Sequence, residues 1–174
     1  MNLFTWIRDN TKNTKCVVEF GSMFFDKLSH CSSQKKIGIE IWEPYIQSAK
    51  YHECVKINGD FTKFEDFIAP EDMDCAMFID TLEHIERENA FELMSRVMKN
   101  FNKVILMIPE GKYTLEQDVT GHGAHVYQTH RSTWYESDIR QLGFHNIEID
   151  KYFHLGSGFE NTGCIFAVWT KDEK

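Results

Sequence analysis

Residues Cys16–Leu28 read CVVEFGSMFFDKL. A short apolar run leads into a glycine, which predicts a buried strand, a turn and then a helix. That is how a nucleotide-binding α/β unit opens. Such loops carry two or three glycines, whereas only Gly21 is present, and Met23, Phe24 and Phe25 crowd the place of a ligand. Three readings stay open: a nucleotide site with an unusual wall, a site for another ligand, or a core strand alone.

Working outward, KIGIEI, CVKIN, DCAMFID, KVILMI, NIEID and CIFAVWT predict six further strands. The first five strands of the chain are near-continuous apolar runs, as parallel strands covered on both faces require. Between them lie PYIQSAKYHE, with Pro44 suited to a first helical turn, and ERENAFELMSRVMKNF. In the second, Ala90, Phe91, Met94, Val97, Met98 and Phe101 recur at helical spacing and form one apolar, core-facing stripe. STWYESDIRQLGF predicts another helix, with Thr133 and Glu136 at capping-box spacing and Gly143 as its stop. The last two strands are joined by a segment containing GSGFENTG, without helical pattern, and are expected to pair antiparallel. The expected fold is α/β: one domain, 1–174, built on an open, doubly wound, mostly parallel sheet.

Composition sets the limits. In 174 residues, 42% are hydrophobic and 26% charged, the profile of a soluble globular chain long enough to bury a core. No apolar run is long enough for a signal peptide or a membrane span. Five cysteines without a CxxC pair suggest reduced thiols, hence a cytoplasmic location. A net charge of −8 argues against a nucleic-acid partner, because phosphate backbones need a basic surface.

Ligands of such sheets bind beyond the carboxyl ends of the strands. There the sequence places Glu19 and Gly21, then Glu40 and Trp42, then Asp60 and Phe61, then Asp80 and Thr81, with Glu83 and His84 just behind. One acid after a strand is usually a cap or a solvated turn. Acids at four successive ends predict a shared crevice.

This order of segments resembles the class I S-adenosylmethionine-dependent methyltransferases from about Cys16 onward. VVEFG looks like the first motif of that family, GIEIWEPYIQSAK its second strand and helix, NGDF its third, and MFIDTLEHI its fourth. VYQTHRSTWYESDIRQLGF resembles a segment of a bacterial subgroup with a Tyr-Gln-x-His-x-Ser-x-Trp run. The resemblance implies a seven-stranded Rossmann-like methyltransferase sheet with the last strand antiparallel, and S-adenosylmethionine as cofactor. It also implies roles. Glu19 and Gly21 would face the methionine part, Glu40 the ribose hydroxyls, Trp42 and Phe61 the adenine surroundings, Asp60 the adenine amino group, and Asp80 with Thr81 the sulfonium end.

The missing glycines fit this reading better than a dinucleotide one. A pyrophosphate needs close backbone approach, which Met23 and Phe25 obstruct, and Glu19 has the wrong charge beside it. The sulfonium and ammonium groups of S-adenosylmethionine are cationic and phosphate-free, and suit acidic strand ends. The family usually keeps a second glycine where Met23 stands, so a catalytically inactive methyltransferase-like binding or assembly module is the alternative.

Methyl transfer asks mainly for positioning and sometimes for a base. The candidate bases are His84, His125 and His130, the latter two in QDVTGHGAHVYQTHRSTW after the fifth strand. Asp118, His122, His125 and His130 match no familiar zinc spacing, and no metal is expected. Tyr127 and Trp134 read as fixing the loop and helix. The expected partner is a small-molecule acceptor, with a second copy of the chain left open and no membrane. Glu40→Ala is expected to weaken cofactor binding and leave the fold intact.

Overall fold

Seven strands hydrogen-bond into one sheet in the computed structural model, which describes residues 1–112, 120–153 and 163–171. They are β1 (Cys16–Phe20), β2 (Lys35–Glu40), β3 (Val55–Asn58), β4 (Cys75–Ile79), β5 (Lys103–Pro109), β6 (Asn146–Asp150) and β7 (Cys164–Thr170). The order is β3-β2-β1-β4-β5-β7-β6. Neighbours from β3 to β5 pair parallel, whereas β7 runs antiparallel to both β5 and β6. The expected doubly wound sheet with an antiparallel last strand is the observed one.

Five helices are described: α1 (Leu3–Asn10), α2 (Glu43–Ser48), α3 (Arg87–Asn100), α4 (His125–Gln128) and α5 (Glu136–Gln141). On one sheet face, α3 buries Ala90, Leu93, Met94 and Val97 against Val18, Phe20, Phe78 and Leu106. Each larger member of that stripe contributes about 1.5–3 kcal/mol by leaving water. On the other face, Trp6 and Ile7 of α1 pack with Val17, Met77, Met107 and Phe166. α1 matches no element expected from the sequence; Asn2 starts it by accepting a hydrogen bond from the Thr5 N–H at 2.9 Å.

Three local expectations are corrected. The helix expected after Gly21 is a 3₁₀ turn, Lys27–His30, because Met23 (φ +50°) and Phe25 (φ +63°) adopt left-handed backbone that cannot propagate a helix. The helix expected from Pro44 to Glu53 contracts to α2. The capping pair of α5 lies two residues on from Thr133 and Glu136, where Asp138 Oδ2 accepts from the Tyr135 N–H at 2.9 Å. Asp138 is held there by Arg87, whose Nη2 stands 2.5 Å from Oδ1.

Candidate functional site

The strand order reverses between β1 and β4, where crossovers leave the sheet in opposite directions and a crevice opens at the carboxyl ends. Its wall includes Gly21, Met23, Glu40, Asp60, Phe61, Asp80, Thr81 and His84, closed from above by Tyr127 and Arg131. Six of the eight expected cofactor residues therefore share one cavity. Glu19 and Trp42 do not line it.

The turn after β1 forms the floor. Gly21 has φ +70°, and a Cβ there would stand 3.0 Å from Thr81 Cγ2, so the glycine lets β1 and β4 ends close together. Thr81 is buried and its hydroxyl donates to the Phe20 carbonyl at 2.9 Å. Met23 and Phe25 then take the left-handed conformation that glycines would otherwise supply. Phe25 turns its ring fully into the core, against Gly38 of β2.

Glu40 is buried at the end of β2. Its Oε2 accepts from the Met23 N–H and its Oε1 from the Trp42 N–H, each at 2.8 Å. Burial raises its pKa, and the backbone donors partly offset that. Asp60 caps the 3₁₀ turn Phe61–Asp66, its Oδ1 accepting from the Thr62 N–H at 3.0 Å and the Thr62 hydroxyl at 2.7 Å. Asp80 is exposed on the crevice with φ +50°, its N–H donating to the Met107 carbonyl at 3.0 Å.

Glu19 points through the opposite sheet face and is fully buried, with Lys27 Nζ 3.8 Å from Oε1. Desolvation pushes its pKa up to about 7, against the pull of Lys27. Trp42 lies beside the crevice, its indole N–H donating to the His122 carbonyl at 2.9 Å and its ring tilted against Tyr127 at 5.7 Å. The indole thus ties the β2 end to the segment that follows β5.

The described part of that segment, residues 120–134, borders the crevice through Val126, Tyr127, Gln128 and Arg131. The Tyr45 hydroxyl stands 2.8 Å from the Thr120 hydroxyl and accepts from the Gln128 side chain at 2.6 Å. Trp134 is buried and stacks on Phe91 at 5.8 Å, fixing the start of α5 to α3. Of the candidate bases, His84 lines the crevice and His130 meets its ring edge-on at 4.9 Å. Burial, then the neighbouring His130, lowers the His84 pKa to about 4. His125 lies on α4, and its side chain falls outside the described residues, as does Asp118. His122 sits apart, edge-on to Phe24 at 5.2 Å. Glu83, Tyr45, Gln128 and Arg131 had no site role in the sequence reading. Glu83 and Tyr45 follow strand ends in sequence, whereas Gln128 and Arg131 reach them only through contacts between segments some 45 to 85 residues apart.

No family model matches the chain, and no curated protein sequence does either. Solved structures do match. An S-adenosylmethionine-dependent methyltransferase from Archaeoglobus fulgidus superposes with TM-score 0.64 at 15% identity, over 96% of this chain and 93% of that one. The methyltransferase domain of a bacterial Hen1 gives TM-score 0.62 at 14% identity, over 97% and 96%. Phosphoethanolamine N-methyltransferase 2 of Haemonchus contortus gives TM-score 0.63 at 14% identity, over 97% of this chain and 52% of that one. The fold is that of the class I methyltransferases. In this methyltransferase fold the crevice at the β1–β4 reversal is the place where a ligand meets the strand ends. Among the described residues, no helix is long and apolar enough to cross a membrane.

Proposed function

We propose that the chain binds S-adenosylmethionine in this crevice and transfers its methyl group to a small-molecule acceptor. The observation that carries the reading is the convergence of Glu40, Asp60 and Asp80, from three strand ends, on one cavity floored by Gly21 and Thr81. A cationic, phosphate-free nucleoside suits that wall, whereas a pyrophosphate does not. Each Glu40 oxygen already accepts one backbone N–H and keeps a second lone pair for a ribose hydroxyl. Met23 and Phe25 adopt left-handed backbone, the region that glycine enters at least cost.

The acceptor would enter past His84, Asn89, Tyr127 and Arg131. A net charge of −8 supports a small molecule over a nucleic acid, and the five free cysteines support a reducing, cytoplasmic setting. Of the candidate bases His84 lines the crevice, and its pKa, lowered to about 4 by burial, leaves it unprotonated at neutral pH but a weak base. Calorimetry with S-adenosylhomocysteine tests the reading: binding that Asp80→Asn weakens supports it, and no heat with folded protein rejects it. The Met23 side chain in the cavity wall supports a second reading, an inactive binding module. Binding of the cofactor with no methyl transfer to any acceptor in a metabolite extract would favour that one.

A further inference from the structure

We propose that Glu83, His84 and His130 form a site for one divalent transition-metal ion on the inner wall of the crevice. Each residue offers one ligand atom, and the three atoms lie within 4.8 Å of one another. Donor atoms at about 2.1 Å from a tetrahedral ion stand about 3.4 Å from one another, so inward shifts of up to about 0.8 Å by each side chain close the site.

The burial of these groups carries the inference. Glu83 is 2% exposed; the backbone N–H groups of Glu83 and Thr81 approach its carboxylate, but neither oxygen closes a hydrogen bond of normal geometry among the described residues. His84 Nδ1 is likewise buried without one. Native structures pair nearly all buried polar atoms, because an unpaired one costs stability. Buried carboxylate oxygens and an imidazole nitrogen on adjacent residues, none closing a normal hydrogen bond, leave lone pairs that a cation would engage.

The backbone holds the two halves of the site together. The Glu83 carbonyl accepts from the Arg131 N–H at 2.7 Å and the Ser132 N–H at 3.1 Å. The Ser132 hydroxyl donates to the Leu82 carbonyl at 3.2 Å, and the Trp134 indole N–H donates to that hydroxyl at 2.9 Å. His130 is thereby clamped over the turn that carries Glu83 and His84. Fixed placement of this kind is what a metal site requires from its surroundings.

One carboxylate and two imidazoles suit zinc, iron, cobalt or manganese better than magnesium or calcium, which prefer oxygen alone. Three protein ligands leave coordination positions open, and His84 borders the crevice, so a position on the His84 side would meet the acceptor space. The ion site stands on this geometry alone; its use in methyl transfer rests on the cofactor reading above. An acceptor hydroxyl taken as a further ligand releases its proton to water more readily. Its oxygen then forms the new O–C bond while the methyl C–S bond breaks. The electron pair of that bond stays on sulfur and gives neutral S-adenosylhomocysteine. The acceptor class named is therefore an oxygen nucleophile, a hydroxyl or enol.

Cobalt(II) is the probe. The full chain, stripped with a chelator and titrated with Co²⁺ alone, is expected to develop visible absorption that saturates at one equivalent. Glu83→Gln and His130→Asn should each weaken Co²⁺ binding at least tenfold, about what loss of a supporting outer-shell partner costs elsewhere. Co²⁺ should raise the melting temperature of the natural chain and not that of Glu83→Gln, a near-isosteric change. Absence of a spectral change, or spectra that both substitutions leave unaltered, overturns the site. S-Adenosylhomocysteine binding is measured separately in metal-free protein. Its failure with Co²⁺ bound would reject the cofactor reading and leave the metal site standing.

Discussion

Glu40 at the end of β2 accepts the N–H of Met23, in the turn after β1, at 2.8 Å. Met23 has φ +50°, a conformation that costs a residue with a side chain about 1–2 kcal/mol. A hydrogen bond to a charged acceptor contributes about 1.5–3 kcal/mol, enough to hold the strained residue in place. The strand-end acid of one βα unit therefore shapes the ligand loop of its neighbour.

This relationship revises what Glu40→Ala reports. From sequence, a strand-end acid contributes little to the core, and the substitution was expected to spare the fold. In the structure it strands two amides, those of Met23 and Trp42. We expect Glu40→Ala to destabilise the chain by about 2–4 kcal/mol, a fall in Tm of roughly 5–15 °C. Glu40→Gln keeps one acceptor oxygen and should lose about half of that. Thermal denaturation followed by circular dichroism separates the two, and equal melting of Ala, Gln and natural chains would refute the coupling.

Met23→Gly should be nearly neutral for stability, within about 1 kcal/mol, because relief of left-handed strain offsets the freer unfolded chain. Met23→Val should cost more than about 1 kcal/mol, since a β-branched residue fits φ +50° poorly. The glycine variant also removes a side chain from the cavity wall. If that side chain obstructs the methionine pocket, S-adenosylhomocysteine binds the variant more tightly in calorimetry. Unchanged affinity would show that Met23 lies aside from the ligand.

How legible these features were in sequence follows from the range of the forces behind them. β1, β4 and β5 were visible because strands buried on both faces must be apolar throughout, and CAMFI or KVILMIP leaves little choice, whereas β3 is a half-exposed edge strand. The loop shape at Met23 and Phe25 was not visible, because residue identity argues against left-handed backbone and tertiary bonds impose it. Glu19 had a readable signal: along β1 it alternates with Val18 and Phe20, which pack under α3, and so it must face away from them. Glu83 had none, since its proximity to His130 depends on how the segment after β5 folds back over β4.

Glu19 makes stability depend on pH. Its pKa is raised from an ordinary 4.5 to about 7, mainly by desolvation. Between those values the folded chain holds a proton that the unfolded chain has released. The stability it confers is thus complete below about pH 4.5 and is lost as pH rises towards 7. The natural chain should lose on the order of 2–3 kcal/mol relative to Glu19→Gln between pH 5 and pH 8. Urea denaturation at both pH values checks this, and parallel curves for the two proteins would contradict it.

Gly38 tests whether the ligand loop is built from the core outward. In β2 it pairs with Glu19 of β1. A Cβ at Gly38 would stand 2.4 Å from Ser22 Oγ and 2.5 Å from Phe25 Cδ1. Ser22 is bonded to the Glu19 carbonyl at 3.1 Å, and Phe25 is fully buried, so neither has free space to retreat. Overpacking of this kind costs about 1–3 kcal/mol. Because Ser22 and Phe25 flank Met23, the displacement should pass into the crevice floor. Gly38→Ala is therefore expected to lower Tm and also to weaken S-adenosylhomocysteine binding at temperatures where the variant is fully folded. Gly143→Ala is the control: it too has positive φ, at +101°, but lies in open space. It should lose stability through backbone strain without loss of binding. A Gly38→Ala variant that melts early yet binds normally would show that the loop holds its shape independently of the core beneath it.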